Sequence, residues 1–274
     1  MAARIVESTV RYLGPCEAKP IFYGVRRHLD NLPLESRDIR IEDVRPCSGA
    51  ISLDREGFAL FPHRSVVRDF FDPAVPRETY VREIAEFLRE ITKAIKVVAT
   101  TNVIRRSERS ARFRMDRTTV PGRFVHCDFS PNPAGSSFWV RKLLPEDEAR
   151  ERLGRRFAIY NVWRVLSDPP QDAPLAICDF RSVGPDDCVG TDCVEELPED
   201  PNLRFEMSTF RYSPNHRWCY FSDMNCDEVV VFKGFDSDPS RANGVPHVAF
   251  TDPSCPRDAP PRESIDARFV AFFE

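Results

Sequence analysis

The chain has 274 residues, of which 42% are apolar and 30% charged, and a formal net charge of −4. This composition is that of an ordinary soluble globular protein, and it gives no electrostatic footprint for nucleic acid. No run approaches the roughly eighteen apolar residues of a membrane span, and the opening MAARIVESTVRYLG lacks the apolar core of a signal peptide.

Residues 1–60 read as irregular, with Pro15, Pro20, Pro33 and Pro46 interrupting short apolar runs. Ala50–Leu53 and Phe58–Phe61 are candidate strands. The clearest helix begins near Glu78. In YVREIAEFLREITKAIKVV the apolar positions Val81, Ile84, Ala85, Leu88, Ile91 and Ile95 recur at helical spacing, with charges on the other face.

From about residue 112 short β-rich runs alternate with Pro, Gly, Asp and Asn: RFVHCDF, SSFWVRKL, RFAIYNVWRVL, LAICDF, MSTFRYS, RWCYFSDM, EVVVFKGF, VPHVAF and SIDARFVAFF. Strands spaced in this way predict a sandwich or barrel. PEDEARERLGRR is a helical interruption. We therefore expect a mainly β protein with supporting helices, built as a jelly-roll, cupin-like barrel (a double-stranded β-helix). Residues 1–110 are expected to be a helical and irregular support region and 111–274 the catalytic core, together one structural domain. The nine cysteines are odd in number and scattered, with no CxxC pair, so free thiols in a reducing, cytoplasmic compartment are expected.

Only five histidines are present. His126 and Asp128 sit two apart in the expected strand Phe124–Phe129, so their side chains share a face. His247, in Val245–Phe250, is placed to supply a third ligand from a distant strand. Two histidines and one carboxylate on one face of iron leave three positions open, enough for a bidentate 2-oxo acid and dioxygen. Asp128 fills the position a halide would need, which argues against a halogenase. Arg262 and Ser264 share parity on the expected last strand. An arginine with a hydroxyl beside it is suited to a carboxylate tail. Arg257 is a second candidate, but it lies in a proline-rich turn. An HxD pair alone is a weak signal, and at this point a solvated arginine beside a turn remains open for Arg262.

Longer segments carry more. Val125–Ser130 (VHCDFS), Tyr160–Arg164 (YNVWR) with Pro174–Asp179, Trp218–Met224 followed by Asp227–Ser237 (DEVVVFKGFDS), His247–Pro253 and Pro260–Ile265 keep a fixed order. In these segments, across about 150 residues, the chain resembles the CmcJ/AsaB-like hydroxylase/desaturase family of Fe(II)/2-oxoglutarate-dependent oxygenases. The first 110 residues match only loosely, and Cys127, Phe129 and Val248 depart from the family's usual residues.

The resemblance implies an oxidoreductase of secondary metabolism that uses Fe(II), 2-oxoglutarate and O2. It implies hydrogen abstraction from a small, possibly amino-acid-derived substrate through a ferryl intermediate, ending in hydroxylation, desaturation or oxidative cyclisation. It also implies His126, Asp128 and His247 as iron ligands and Arg262 with Ser264 as the co-substrate cradle. Tyr160 is a further candidate co-substrate contact, although a barrel-core aromatic is the plainer reading. Arg164 is expected to pair with Asp179, and His216 to face solvent from a turn. Residues 131–155 and the N-terminal region are expected to cover the barrel mouth. The expected partner is a small-molecule substrate, with no nucleic acid and no membrane, and nothing in the sequence sets the oligomeric state. The alternative of a different class is a barrel that binds a ligand without redox chemistry; a damaged triad would favour it.

Overall fold

The structure is a computed structural model that describes residues 4–24, 26–72, 77–107, 120–195, 200 and 202–274. In chain order its strands are β1 (Ile5–Leu13), β2 (Ile21–Tyr23), β3 (Leu34–Asp43), β4 (Phe58–Pro62), β5 (Lys96–Arg106), β6 (His126–Cys127), β7 (Phe157–Val165), β8 (Leu175–Cys178), β9 (Cys188–Glu195), β10 (Leu203–Phe210), β11 (Trp218–Tyr220), β12 (Glu228–Asp236), β13 (His247–Ala249) and β14 (Glu263–Phe272). The helices are α1 (Arg77–Thr92), α2 (Pro133–Leu143) and α3 (Glu146–Leu153).

A nine-stranded sheet runs β1-β3-β11-β8-β13-β6-β10-β9-β2 and a five-stranded sheet runs β4-β12-β7-β14-β5. Their facing sides share apolar clusters, one joining Trp163, Val165, Val230 and Phe232 to Ile177, Cys219 and Phe221. This is the jelly roll that the strand spacing predicted. All nine cysteines are free. No helix among the described residues is long and apolar enough to cross a membrane.

Helix α1 lies where its periodicity put it. Tyr80, Ile84 and Leu88 are buried one turn apart and pack on the outer face of the five-stranded sheet, against Tyr160, Val162, Val229, Val231 and Phe269. The helix stops at Thr92, after which Lys93 takes φ 63° and the chain enters β5. Ile95 is therefore past the helix and 41% exposed, outside the stripe it was assigned to.

Three expectations need correction. The N-terminal region is not irregular. It supplies β1 to β5, and β4 and β5 pair with β12 and β14 at the two edges of the five-stranded sheet. The prolines fall between these strands, at Pro15, Pro20, Pro33 and Pro46, where a missing N–H costs no ladder bond. Strand β1 also returns to the site, since the Val125 N–H donates to the Arg11 carbonyl. Second, SSFWVRKL belongs to helix α2, not to a strand. Asn132 caps it by accepting the Ala134 N–H, Pro133 opens its first turn, and Arg141 and Lys142 sit in its last. Trp139 and Val140 are buried against Phe129 and Phe205. Third, β9, rich in Gly, Asp and Cys, carries no clear alternation and was missed. Ala50–Leu53 forms turn rather than strand. The expected boundary at 110/111 falls outside the described residues.

Candidate active site

Strand β6 is two residues long and lies between β10 and β13. In its register His126 stands directly opposite His247, so both imidazoles rise from the same face of the sheet. Their ring centroids are 4.4 Å apart. Asp128, two residues on, turns to the same side. Its Oδ1 is 3.9 Å from His126 Nε2 and its Oδ2 is 3.6 Å from His247 Nε2. One donor atom from each of the three lies within 4.8 Å of the others.

The ring orientations are set from behind. His126 Nδ1 is 2.8 Å from the Phe124 carbonyl and His247 Nδ1 is 3.3 Å from the Val245 carbonyl. A carbonyl only accepts, so each Nδ1 carries the proton and each Nε2 offers its lone pair inward. Burial holds both rings far below the ordinary histidine value, His126 at about 3 and His247 at about 4. Neutral imidazoles with inward lone pairs beside a carboxylate form a donor set suited to a divalent ion.

The carboxylate is fixed as firmly. Asp128 Oδ1 accepts from Arg268 Nη2 at 2.9 Å and Oδ2 from Asn161 Nδ2 at 2.6 Å. Burial pushes the Asp128 carboxyl up, but the Arg268 guanidinium outweighs it and holds the group well below the usual carboxylate range. Asp266 completes the network. It accepts from Arg268 Nε at 3.1 Å and from Asn161 Nδ2 at 3.2 Å, and burial and the nearby Asp128 push its own carboxyl up.

Gly122 presses on the site from the other side. A Cβ built there would stand 2.6 Å from His126 Cε1, while its carbonyl accepts the Ala249 N–H at 2.8 Å. Only a residue without a side chain lets this backbone approach the ring so closely.

The inward face of β14 carries Arg262, Ser264, Asp266 and Arg268 in alternation. Arg262 is 2% exposed. Its Nε donates to Ser264 Oγ at 3.1 Å and its Nη1 to the Ala173 carbonyl at 2.8 Å. Among the described residues no carboxylate lies within ion-pair distance of its guanidinium. Burial, with Arg105 and Arg123 nearby, lowers its pKa to about 9. Arg262, His126, His247, Trp163, Phe232 and Asp266 line one cavity. A buried cation without a counter-anion in such a cavity is costly and suited to receive an anionic ligand.

Not every candidate reaches this cavity. Tyr160, expected as a co-substrate contact, is on the opposite face of β7, in the core under α1. Alternation along the strand decides this: Asn161 and Trp163 point inward, so Tyr160 cannot. Arg164 does not pair with Asp179. It points outward like Tyr160 and donates to Tyr80 Oη at 3.1 Å, to the His63 ring and to two carbonyls, while Asp179 binds Arg181 and Arg217. His216 is not solvent-facing. Its Nδ1 is 3.0 Å from Tyr12 Oη and its Nε2 is 3.1 Å from Asp187 Oδ2. Arg257 is exposed. No residue of 131–155 lines the cavity.

Asn161, Asp266, Arg268 and Gly122 were not singled out as site residues. The signal for two of them was legible: Arg262, Ser264, Asp266 and Arg268 are polar at every second position of an otherwise apolar strand, and a polar row on an inward face needs a reason.

A family profile described as an oxidoreductase/YMDC permease-like domain matches residues 10–272. The Fe(II)/2-oxoglutarate-dependent dioxygenase nvfI of Aspergillus novofumigatus is 33% identical over 239 residues, 85% of this chain and 82% of that protein. The chain belongs to this family. It is an iron- and 2-oxoglutarate-dependent oxygenase. The hydroxylase/desaturase CTB9 of Cercospora beticola is also 33% identical, covering 88% of this chain and 78% of that one. A solved structure of the iron and alpha-ketoglutarate-dependent endoperoxidase NvfI superposes with a TM-score of 0.84 at 27% identity, over 98% of both chains. Fe(II), 2-oxoglutarate and O2 are thus the cofactor and co-substrates of this enzyme class.

Proposed function

We propose that His126, Asp128 and His247 hold the iron, that Arg262 with Ser264 binds the far carboxylate of 2-oxoglutarate, and that the enzyme oxidises a small natural-product intermediate. The observation that carries this reading is a three-donor cluster whose two histidines line one cavity with a buried arginine that has no carboxylate partner among the described residues. Bound iron, with 2-oxoglutarate and dioxygen, supplies an oxidant able to take a hydrogen atom from a C–H bond.

The chain's own residues do the rest. The Phe124 and Val245 carbonyls keep both Nε2 atoms aimed inward. Arg268 and Asn161 hold the Asp128 carboxylate ionised and in one orientation. Phe232, Leu175 and Ala249 give an otherwise polar cavity an apolar side, which helps keep water from a reactive centre. β5 brings Arg105 to the same wall, so the whole chain from β1 to β14 is read as one catalytic unit rather than a core with a detachable support.

Relatives with names such as hydroxylase/desaturase, GA4 desaturase and endoperoxidase support a reaction that ends in hydroxylation, desaturation or oxidative ring closure. The test is succinate formation from 2-oxoglutarate by the Fe(II)-loaded protein, with and without extracts containing candidate substrates. Succinate that needs Fe(II) and O2 together is the expected result. In Arg262→Leu the apparent KM for 2-oxoglutarate should rise strongly, since roughly 2–5 kcal/mol rides on a buried charge pair. An unchanged KM would remove Arg262 from the co-substrate site.

A further inference from the structure

Trp163 lies on the inward face of β7, 4% exposed, and lines the cavity that holds Arg262 and both histidines. The Arg262 guanidinium carbon is 5.1 Å from the centre of its ring. The indole Nε1–H is shielded from solvent and has no hydrogen-bond partner among the described residues. Buried indole N–H groups nearly always find an acceptor. Here the neighbouring acceptors are committed elsewhere: Ser264 Oγ accepts from Arg262, and the Asp266 carboxylate accepts from Asn161 and Arg268.

Arg262 has a matching deficit. Its Nε and Nη1 are engaged by Ser264 and by the Ala173 carbonyl. That leaves one N–H of Nη1 and both of Nη2 toward an incoming anion. A carboxylate offers about four acceptor sites, more than these N–H groups fill alone, so a further donor beside it has a place. Among the described residues lining the cavity, Trp163 Nε1–H is the one buried donor without a partner.

We propose that the Trp163 indole N–H donates to the distal carboxylate of the 2-oxo acid, so that Trp163 and Arg262 together select a dicarboxylic co-substrate. This rests on the assignment of Arg262 to that carboxylate. Trp163 is a binding residue in this account, set by its N–H and not by its bulk.

The test uses the full chain loaded with Mn(II), which binds the site without turning over. Binding of 2-oxoglutarate and of 2-oxopentanoate, which lacks the distal carboxylate, is measured by calorimetry for the parent and for Trp163→Phe. Phenylalanine keeps an aromatic ring and removes the donor together with part of the bulk, and the 2-oxopentanoate arm reads the loss of bulk separately. Trp163→Phe should weaken 2-oxoglutarate by roughly tenfold or more, as expected for a bond to a charged acceptor, and leave 2-oxopentanoate and Mn(II) affinity within twofold of the parent. An unchanged 2-oxoglutarate Kd, or an equal loss for both acids, overturns the proposal. A parent that does not prefer 2-oxoglutarate over 2-oxopentanoate overturns the Arg262 assignment and this proposal with it. A readout on the unaltered protein guards against a variant that does not fold. The chain has three tryptophans, so a Zn(II)-loaded, 15N-labelled sample gives three indole N–H resonances, assigned with Trp139→Phe and Trp218→Phe. The Trp163 resonance should move downfield with 2-oxoglutarate and not with 2-oxopentanoate. No movement with either acid overturns the proposal.

Discussion

At the scale of single residues, the geometry of the proposed iron site depends on neighbours outside the three donors. Gly122 is the sharpest case, because a methyl group there would collide with a ring already pinned through Nδ1. Gly122→Ala should displace His126 Nε2 and weaken divalent metal binding by about tenfold, the low end of what outer contacts to a metal site cost when lost. Calorimetry with Mn(II) checks this, and an unchanged affinity would mean that the His126 ring has room to move. Tyr160 gives the opposite expectation. It faces α1, not the cavity, so Tyr160→Phe should leave the 2-oxoglutarate KM as it is. The clustering of His126, Asp128 and His247 and the contact of Arg262 with Ser264 were legible in the sequence because strand parity and the family resemblance pointed to the same residues. For Tyr160 the core reading holds and the co-substrate candidacy does not, because a motif, YNVWR, gives neighbours in sequence equal weight, whereas a strand sends them to opposite faces. Gly122 was illegible because nothing local marks a glycine that another segment's histidine will touch.

At the scale of elements, α1, β7, β8 and β10 to β14 followed from periodicity, turn residues and resemblance. The short apolar run SSFWVRKL did not, since seven or eight residues cannot separate strand from helix by apolar content alone. The deciding signal was the Asn132–Pro133 start. His216 shows how a turn residue becomes structural. It links Tyr12 of β1 to Asp187, while Trp218 Nε1 donates to Tyr12 Oη at 2.8 Å. Burial lowers the His216 pKa from the ordinary 6.5 despite Asp187. The folded state therefore keeps this imidazole neutral while the unfolded chain takes up a proton below about 6.5. Its contribution to stability is complete above that pH and declines as the pH falls from 6.5 toward the lowered folded value. His216→Gln should lessen the fall in melting temperature of the metal-free protein across this window, the remainder coming from the buried His126 and His247. An identical slope in the variant would show that the network is already protonated in the fold.

At the scale of the whole molecule, two sheets from distant parts of the chain meet at one site: β6 and β13 bring His126 and His247, with Asp128 just past β6, β7 brings Asn161 and Trp163, β14 and the residue before it bring Arg268 and Arg262, and β5 brings Arg105. The sequence pattern pointed to the jelly roll, but the part played by residues 1–106 came only from pairing, because the partners of β4 and β5 lie more than a hundred residues away. The central claim is that one iron binds at His126, Asp128 and His247 and is chelated there by 2-oxoglutarate. Anaerobic titration with Fe(II) and then 2-oxoglutarate tests it most directly, read by metal stoichiometry and by the weak visible band of the chelate. The account predicts one Fe(II) per chain, a band that needs both additions, and loss of both in His126→Ala, Asp128→Ala and His247→Ala. Full stoichiometric binding with the band intact in Asp128→Ala or His247→Ala would contradict it.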